Sequence, residues 1–243
     1  MSKYSNRRLE TNHSDVYTPT PPTNLPKVIV TGTGRAGTHF AASFLFHNGL
    51  PCGHEELFGP YGPYPGWKGY EADSGWMAVP FIKDEWCASV PVIHVVRHPY
   101  KVIKSYIELG FFEEKPKGHE KILSWPLLPD IATQTSRVRR AAYFWLGWNR
   151  LLLESVGCRK YMVFLTGKQN HREMLDFLGI SSNVDHIKSH EKWVNYRDDI
   201  KKKVGVKFTE NIHEELKQWD HRDEFYEMAQ TLGYESSDPD YKL

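Results

Sequence analysis

The chain has 243 residues, 40% of them hydrophobic and 25% charged, with a formal net charge of +1. That length suits one globular domain with trimmings, the composition is that expected of a soluble globular protein, and the charge balance argues neither for nor against nucleic acid. No run of about 18 apolar residues occurs, so no membrane span is expected. The three cysteines Cys52, Cys87 and Cys158 make neither a disulfide framework nor a zinc pattern.

Residues 1–24 are polar and Pro/Thr-rich and read as a mobile arm, without the apolar core of a secretory signal. Together with the sparse cysteines this gives a cytoplasmic expectation. A strand is predicted at Lys27–Thr31, then a loop from Gly32 to Gly37 holding three glycines. The helix after it carries Phe40, Phe44, Leu45 and Asn48 at helical spacing. Residues 49–70 form a Gly/Pro/Tyr-rich loop too long for a plain connection. A short apolar helix is predicted at Gly75–Ile82.

A second strand is Pro91–Val96, ended by Arg97-His98-Pro99. Pro99 suits the first turn of a helix that buries Val102, Ile103, Tyr106 and Ile107. Beyond an irregular stretch at 110–136, a long helix spans about Val138–Val156, with Ala141, Ala142, Trp145, Trp148, Leu152 and Val156 inward. A third strand, Tyr161–Leu165, precedes a helix at His171–Leu178 closed by Gly179. Residues 181–208 are polar and basic. Helices near Thr209–Trp219 and Asp220–Leu232 finish the chain, the second capped by Gly233. One domain is expected over 25–235, with 236–243 a flexible tail.

Strands alternating with helices imply an α/β fold of three layers, a central parallel sheet flanked by helices. Such sheets bind ligands at the carboxyl ends of their strands, where the glycine loop and Arg97 both fall. The loop is a phosphate cradle in outline, because glycines let the backbone approach and the helix's first-turn amides point at an anion. It is not a nucleotide-triphosphatase loop. Gly32 and Gly37 keep the GxxxxGK[ST] spacing, but Thr38 and His39 stand where the lysine and the magnesium-binding hydroxyl belong. Arg35 supplies a cation inside the loop instead. Arg97 and Ser105, in RHPYKVIKS, form a second constellation: a guanidinium at a strand end and a hydroxyl two helical turns on, together able to hold a dianionic phosphate. Taken singly, each motif also reads as an ordinary turn.

Paired, GTGRAGT at 32–38 and RHPYKVIKS at 97–105 resemble the sulfotransferases that use 3′-phosphoadenosine 5′-phosphosulfate (PAPS). AAYFWLGWN at 141–149 and YMVFLTG to MLDFLGI at 161–180 also look like that family, so the resemblance covers about 27–180. It implies a P-loop-like fold akin to nucleoside triphosphate hydrolases, PAPS as cofactor with adenosine 3′,5′-bisphosphate as product, and no metal. Carried over, Arg35 lies at the bridging and leaving oxygens. The amides of Gly34, Arg35, Ala36, Gly37, Thr38 and His39 cradle the 5′-phosphate, with a hydroxyl contact from Thr38. Arg97 and Ser105 take the 3′-phosphate. Ala36 replaces a serine common in relatives, and the family's C-terminal RKGxxG element is not evident; Lys192, Asn195 and Arg197 are candidates for closing over the nucleotide.

Sulfuryl transfer needs a base for the acceptor, and His54-Glu55-Glu56 offers three: Glu55 first, His54 second for its near-neutral pKa, Glu56 third. A glutamate needs burial to raise its pKa into a useful range. The blander reading is a solvated acidic turn. Tyr61, Tyr64, Trp67, Tyr70 and Trp76 either stack on a sugar or phenol acceptor or pack the loop. His94 reads as a satisfied core histidine, His98 is assigned nothing, and Lys201-Lys202-Lys203 is a solvated face or a greeting for an anionic nucleotide. The expected activity is sulfuryl transfer to a hydroxyl or amine of a small-molecule or glycan acceptor, without a nucleic-acid partner. The alternatives are a kinase with a degenerate P-loop, for which no strand ending in Asp appears, and a non-catalytic nucleotide-binding module.

Overall fold

The computed structural model describes residues 22, 24–59, 62–64, 67, 69–112, 127–168, 171–181, 208–235, 238 and 241. Five strands form one parallel sheet: β1 (Val28–Gly32), β2 (Cys52–His54), β5 (Ala72–Ser74), β6 (Val92–Val96) and β7 (Tyr161–Leu165), in the order β2-β5-β1-β6-β7. β3 (Phe58–Gly59) and β4 (Gly62–Pro63) pair separately as an antiparallel ribbon. The helices are α1 (Thr38–His47), α2 (Pro99–Glu108), α3 (Arg137–Val156), α4 (His171–Leu178), α5 (Ile212–Lys217) and α6 (Arg222–Thr231).

β1 and β6 are runs of β-branched and apolar residues buried on both faces, as strands in the middle of a parallel sheet must be. Alternate side chains serve opposite layers. Val28, Val30, Ile93, Val95 and Phe164 pack with α1 and α4, while Ile29, Val92 and Val96 pack with α2, α3, α5 and α6. α3 is the thickest part of the second layer: Phe144, Trp145, Trp148 and Leu152 are all wholly buried on it, and a side chain such as Leu152 contributes on the order of 2 kcal/mol through that burial. Ser136 caps this helix by accepting from the Arg139 amide at 3.2 Å. Pro99 occupies the first turn of α2, and His98 accepts from the Tyr100 amide ahead of it.

The α/β layering agrees with the sequence reading, and so do the strands at β1, β6 and β7. The sheet is larger than the three strands expected. β2 lies inside the stretch 49–70 read as loop, and β5 in 71–74, to which the sequence reading assigns no element: each is three residues long, and CGH and ADS carry no apolar run. The apolar segment at 75–82 is a 3-10 helix, Trp76–Phe81, with Pro80 inside it. The two last helices are shorter than expected. The N-terminal arm lies outside the described residues apart from Pro22 and Asn24. So does most of the tail, of which Tyr241 rests on His98 and Tyr100, with ring centroids 4.4 and 4.9 Å away. No helix among the described residues is long and apolar enough to cross a membrane.

Candidate functional site

β1 and β6 are adjacent, and the chain leaves them in opposite directions, β1 toward β2 and β6 toward β7. Their carboxyl ends therefore flank a crevice of the kind in which open parallel sheets bind ligands. The glycine loop rises on one lip and Arg97 on the other.

The loop is tightly wound. Arg35 has φ 69, the left-handed region unusual for a residue with a Cβ. The Ala36 amide is engaged within the turn, donating to the Thr33 carbonyl at 3.2 Å. Gly37 has φ 113, and a Cβ there would stand 2.9 Å from Thr166 Oγ1, so dihedral and space both require glycine. Thr166, in the turn after β7, donates Oγ1 to the Ala36 carbonyl at 2.7 Å. α1 starts at Thr38 with no capping side chain and no acidic residue in its first turn. Its positive end is thus directed at the loop.

Three residues distant in sequence meet here. Arg35 Nε donates to Ser105 Oγ at 2.9 Å, across 70 positions. Arg97 Nη1 donates to the Arg35 carbonyl at 3.3 Å, across 62. The two cations and the hydroxyl singled out from separate motifs form one cluster.

The candidate bases lie on the β2–β5 side. His54 ends β2, with Nε2 3.3 Å from Thr38 Oγ1 and 3.9 Å from Glu55 Oε1. His39 packs edge-on against it, centroids 5.0 Å apart. Glu55 is held at φ 59 while its amide donates to the Ser74 carbonyl at 3.1 Å. Ser74 Oγ in turn donates to the Thr38 carbonyl at 2.8 Å. Half-buried His54 and Glu55 are thereby tied to the start of α1, whereas Glu56 is exposed.

Sequence reasoning missed Asp73. It is fully buried in the middle of β5, and its Oδ1 accepts from the Glu56 amide at 3.0 Å. Its Oδ2 has no hydrogen-bond partner among the described residues. Burial pushes the carboxyl up to about 6, although the amides of Glu56, Leu57 and Phe58 favour its charged form. Asp73 thus organises the turn that carries Glu55. Nothing in the pattern around Ala72-Asp73-Ser74 could have announced this, because the contact depends on two strands that the sequence does not reveal. Thr166 was missed too; its only signal is its place at a third strand's carboxyl end.

The aromatics divide. Trp67 and Trp76 are buried and pack the loop, and the Trp76 carbonyl accepts from Trp148 Nε1 at 3.0 Å. Tyr70 is half-buried. Tyr64 is 42% exposed; burial of the rest of it and the nearby Glu55 and Glu56 push its phenol up. Tyr61, Lys192, Asn195, Arg197 and Lys201–Lys203 lie outside the described residues. His94 is the core histidine expected. Asn149 Oδ1 only accepts, so His94 Nε2 donates to it at 2.8 Å and Nδ1 accepts from the Tyr161 hydroxyl at 2.8 Å. Burial pulls its pKa down to about 4. No family model matches the chain, and no curated protein matches it.

Proposed function

We propose that the chain is a PAPS-dependent sulfotransferase on a P-loop-like variant of its α/β fold, acting on a hydroxyl or amine acceptor, with carbohydrate among the candidates. The observation that carries this reading is the meeting of Arg35, Arg97 and Ser105 at the crevice between β1 and β6. Two guanidinium groups, a hydroxyl and a helix N-terminus suit a ligand with two separate anionic groups. Arg97 and Ser105 would hold a 3′-phosphate, and the 34–39 loop with Thr38 a 5′-phosphosulfate.

PAPS, when bound, supplies the sulfuryl group and a phosphate that departs with the bonding electron pair. Glu55 takes the proton of the acceptor as the acceptor's oxygen or nitrogen attacks sulfur, with His54 as the alternative base. Arg35 and the loop amides stabilise the charge that builds on the departing oxygen. Asp73 keeps the turn at 55–58 in place for Glu55.

The kinase reading gains one observation: β5 ends in Asp73-Ser74 directly beside β1, an acidic strand end that was not expected. The Asp73 carboxylate faces the amides of the 56–58 turn, however, and Arg35 rather than lysine is the loop's cation. Calorimetry with adenosine 3′,5′-bisphosphate and with magnesium–ATP decides between the two. Bisphosphate binding is expected, weakened by Arg97→Ala far more than binding of adenosine 5′-phosphate. Tight magnesium–ATP binding without bisphosphate binding overturns the reading. A screen with labelled PAPS across acceptor classes then names the acceptor.

A further inference from the structure

Tyr106 follows Ser105 on α2 and is 1% exposed. Its ring is surrounded by Phe111, Phe112 and Phe144, with centroids 5.0, 5.4 and 5.5 Å away. A phenylalanine would satisfy that environment. The hydroxyl is what the environment does not explain. Tyr106 Oη is buried with no hydrogen-bond partner among the described residues, an arrangement that folded proteins rarely tolerate without a reason.

The hydroxyl is aimed at the glycine loop. A Cβ placed on Gly34 would stand 2.6 Å from Tyr106 Oη and 3.5 Å from the Trp76 ring. Glycine at 34 therefore makes room for this phenol, a requirement separate from any dihedral. The charged groups whose fields reach Tyr106 are Arg35 and Glu55, the loop's cation and the first-choice base. Burial pushes the phenol well above its ordinary value, so it stays protonated and acts as a donor.

We propose that Tyr106 is a further catalytic residue whose Oη donates a hydrogen bond to an oxygen of the transferring sulfuryl group, held beside Gly34 between Arg35 and Glu55. The inference rests on the sulfotransferase reading. Tyr106 loses no proton: the acceptor's proton goes to Glu55, the bond from acceptor to sulfur forms, and the bond from sulfur to the phosphate oxygen breaks. The phenol answers charge on the sulfuryl oxygens, a part that Arg35 does not cover if it serves the departing oxygen.

The test is Tyr106→Phe, read by calorimetry with PAPS and with adenosine 3′,5′-bisphosphate, by transfer rate and by thermal unfolding. PAPS affinity is expected to fall about tenfold with bisphosphate affinity unchanged, because only PAPS carries the sulfuryl oxygens. The rate constant is expected to fall about a hundredfold, as when one donor to developing charge is removed. The unfolding midpoint of the ligand-free protein is expected to hold or rise, since the variant buries no unpaired hydroxyl. Unchanged PAPS affinity and rate in Tyr106→Phe overturn the proposal. Equal weakening of both ligands with a lower midpoint also overturns it, by making the hydroxyl structural. A wild-type protein that binds neither ligand removes the sulfotransferase reading itself, and the proposal with it.

Discussion

The two sides of β1 are built differently. Toward β6 and β7 the sheet has five-residue strands, apolar runs and one buried histidine whose two ring nitrogens are both satisfied. Toward β5 and β2 it has three-residue strands, glycine and polar residues, a buried carboxylate with one oxygen unpaired among the described residues, and Glu55 in a left-handed conformation. A long apolar strand fixes itself by burial. A short polar one must be fixed by specific hydrogen bonds, and those bonds also place the chemical groups. The candidate bases fall on the thin side for that reason, and the proposed anion-binding cations fall at the seam between the two.

The sharpest way to separate the sides is to remove chemistry from one and packing from the other. Glu55→Gln is expected to lower sulfuryl transfer by about 10²–10⁴-fold while adenosine 3′,5′-bisphosphate binds as before. Transfer rates across a pH series and calorimetry read the two effects. Wild-type rates in the variant would move the base to His54, which a matching His54→Ala variant then tests. His94→Ala, on the thick side, should do the reverse. It leaves Asn149 Oδ1 buried without its donor, takes the partner of the half-buried Tyr161 hydroxyl and opens a cavity, at a cost of about 3 kcal/mol in stability by urea unfolding. Transfer by the folded fraction should be unaffected. A large loss of transfer there would show that the division does not hold.

The thick side was legible in the sequence because its physics is local. VIHVV is apolar but for His94 and YMVFL is apolar throughout, and a run of that kind reads as a strand without any knowledge of its neighbours. α3 was legible from the periodic burial of Ala141, Trp145, Trp148 and Leu152. At the site, the pairing of Arg35 with Arg97 and Ser105 was anticipated because both motifs sit at strand ends in one parallel sheet. The thin side was not legible. Ala72-Asp73-Ser74 becomes a strand only by pairing with β1 and β2, and neither pairing leaves a periodic trace. Tyr106 has the reverse fault: its place on an apolar helix face conceals a hydroxyl directed at the loop.

Two buried groups, one on each side, sharpen the comparison through their opposite response to acid. Asp73 titrates at about 6 in the folded protein against an ordinary value near 3.9. As pH falls through 6 the folded state takes up a proton that the unfolded state does not yet bind, so Asp73 adds stability, to about 2 kcal/mol by pH 4. His94 titrates at about 4 when folded against about 6.5. Its unfolded state takes up the proton first, so stability is lost between about 6.5 and 4, by a similar amount. The two contributions oppose each other over this window. Asp73→Asn keeps an acceptor for the Glu56 amide and leaves His94 without its counterweight. The stability of the wild type relative to Asp73→Asn should rise by about 2 kcal/mol from pH 7 to pH 4, measured by urea unfolding at each pH. A pH-independent difference would mean that Asp73 is not the buried, charged group described.

The smallest expected effect tests whether the thick side stays out of the site. Thr166 belongs to the turn after β7, yet its hydroxyl holds the Ala36 carbonyl, and its side chain fills the space beside Gly37. Thr166→Val keeps the shape and removes the donor. The loss of one hydrogen bond of this kind costs about 1 kcal/mol, and if the loop presents its amides to an anion, as proposed, the cost should appear in binding. Adenosine 3′,5′-bisphosphate affinity should fall by about fivefold, the equivalent of that energy, with the unfolding midpoint lowered only slightly. If affinity holds and stability falls instead, the loop's shape is set by Gly37 and Arg35 alone. The thick side would then contribute packing but no hold on the ligand.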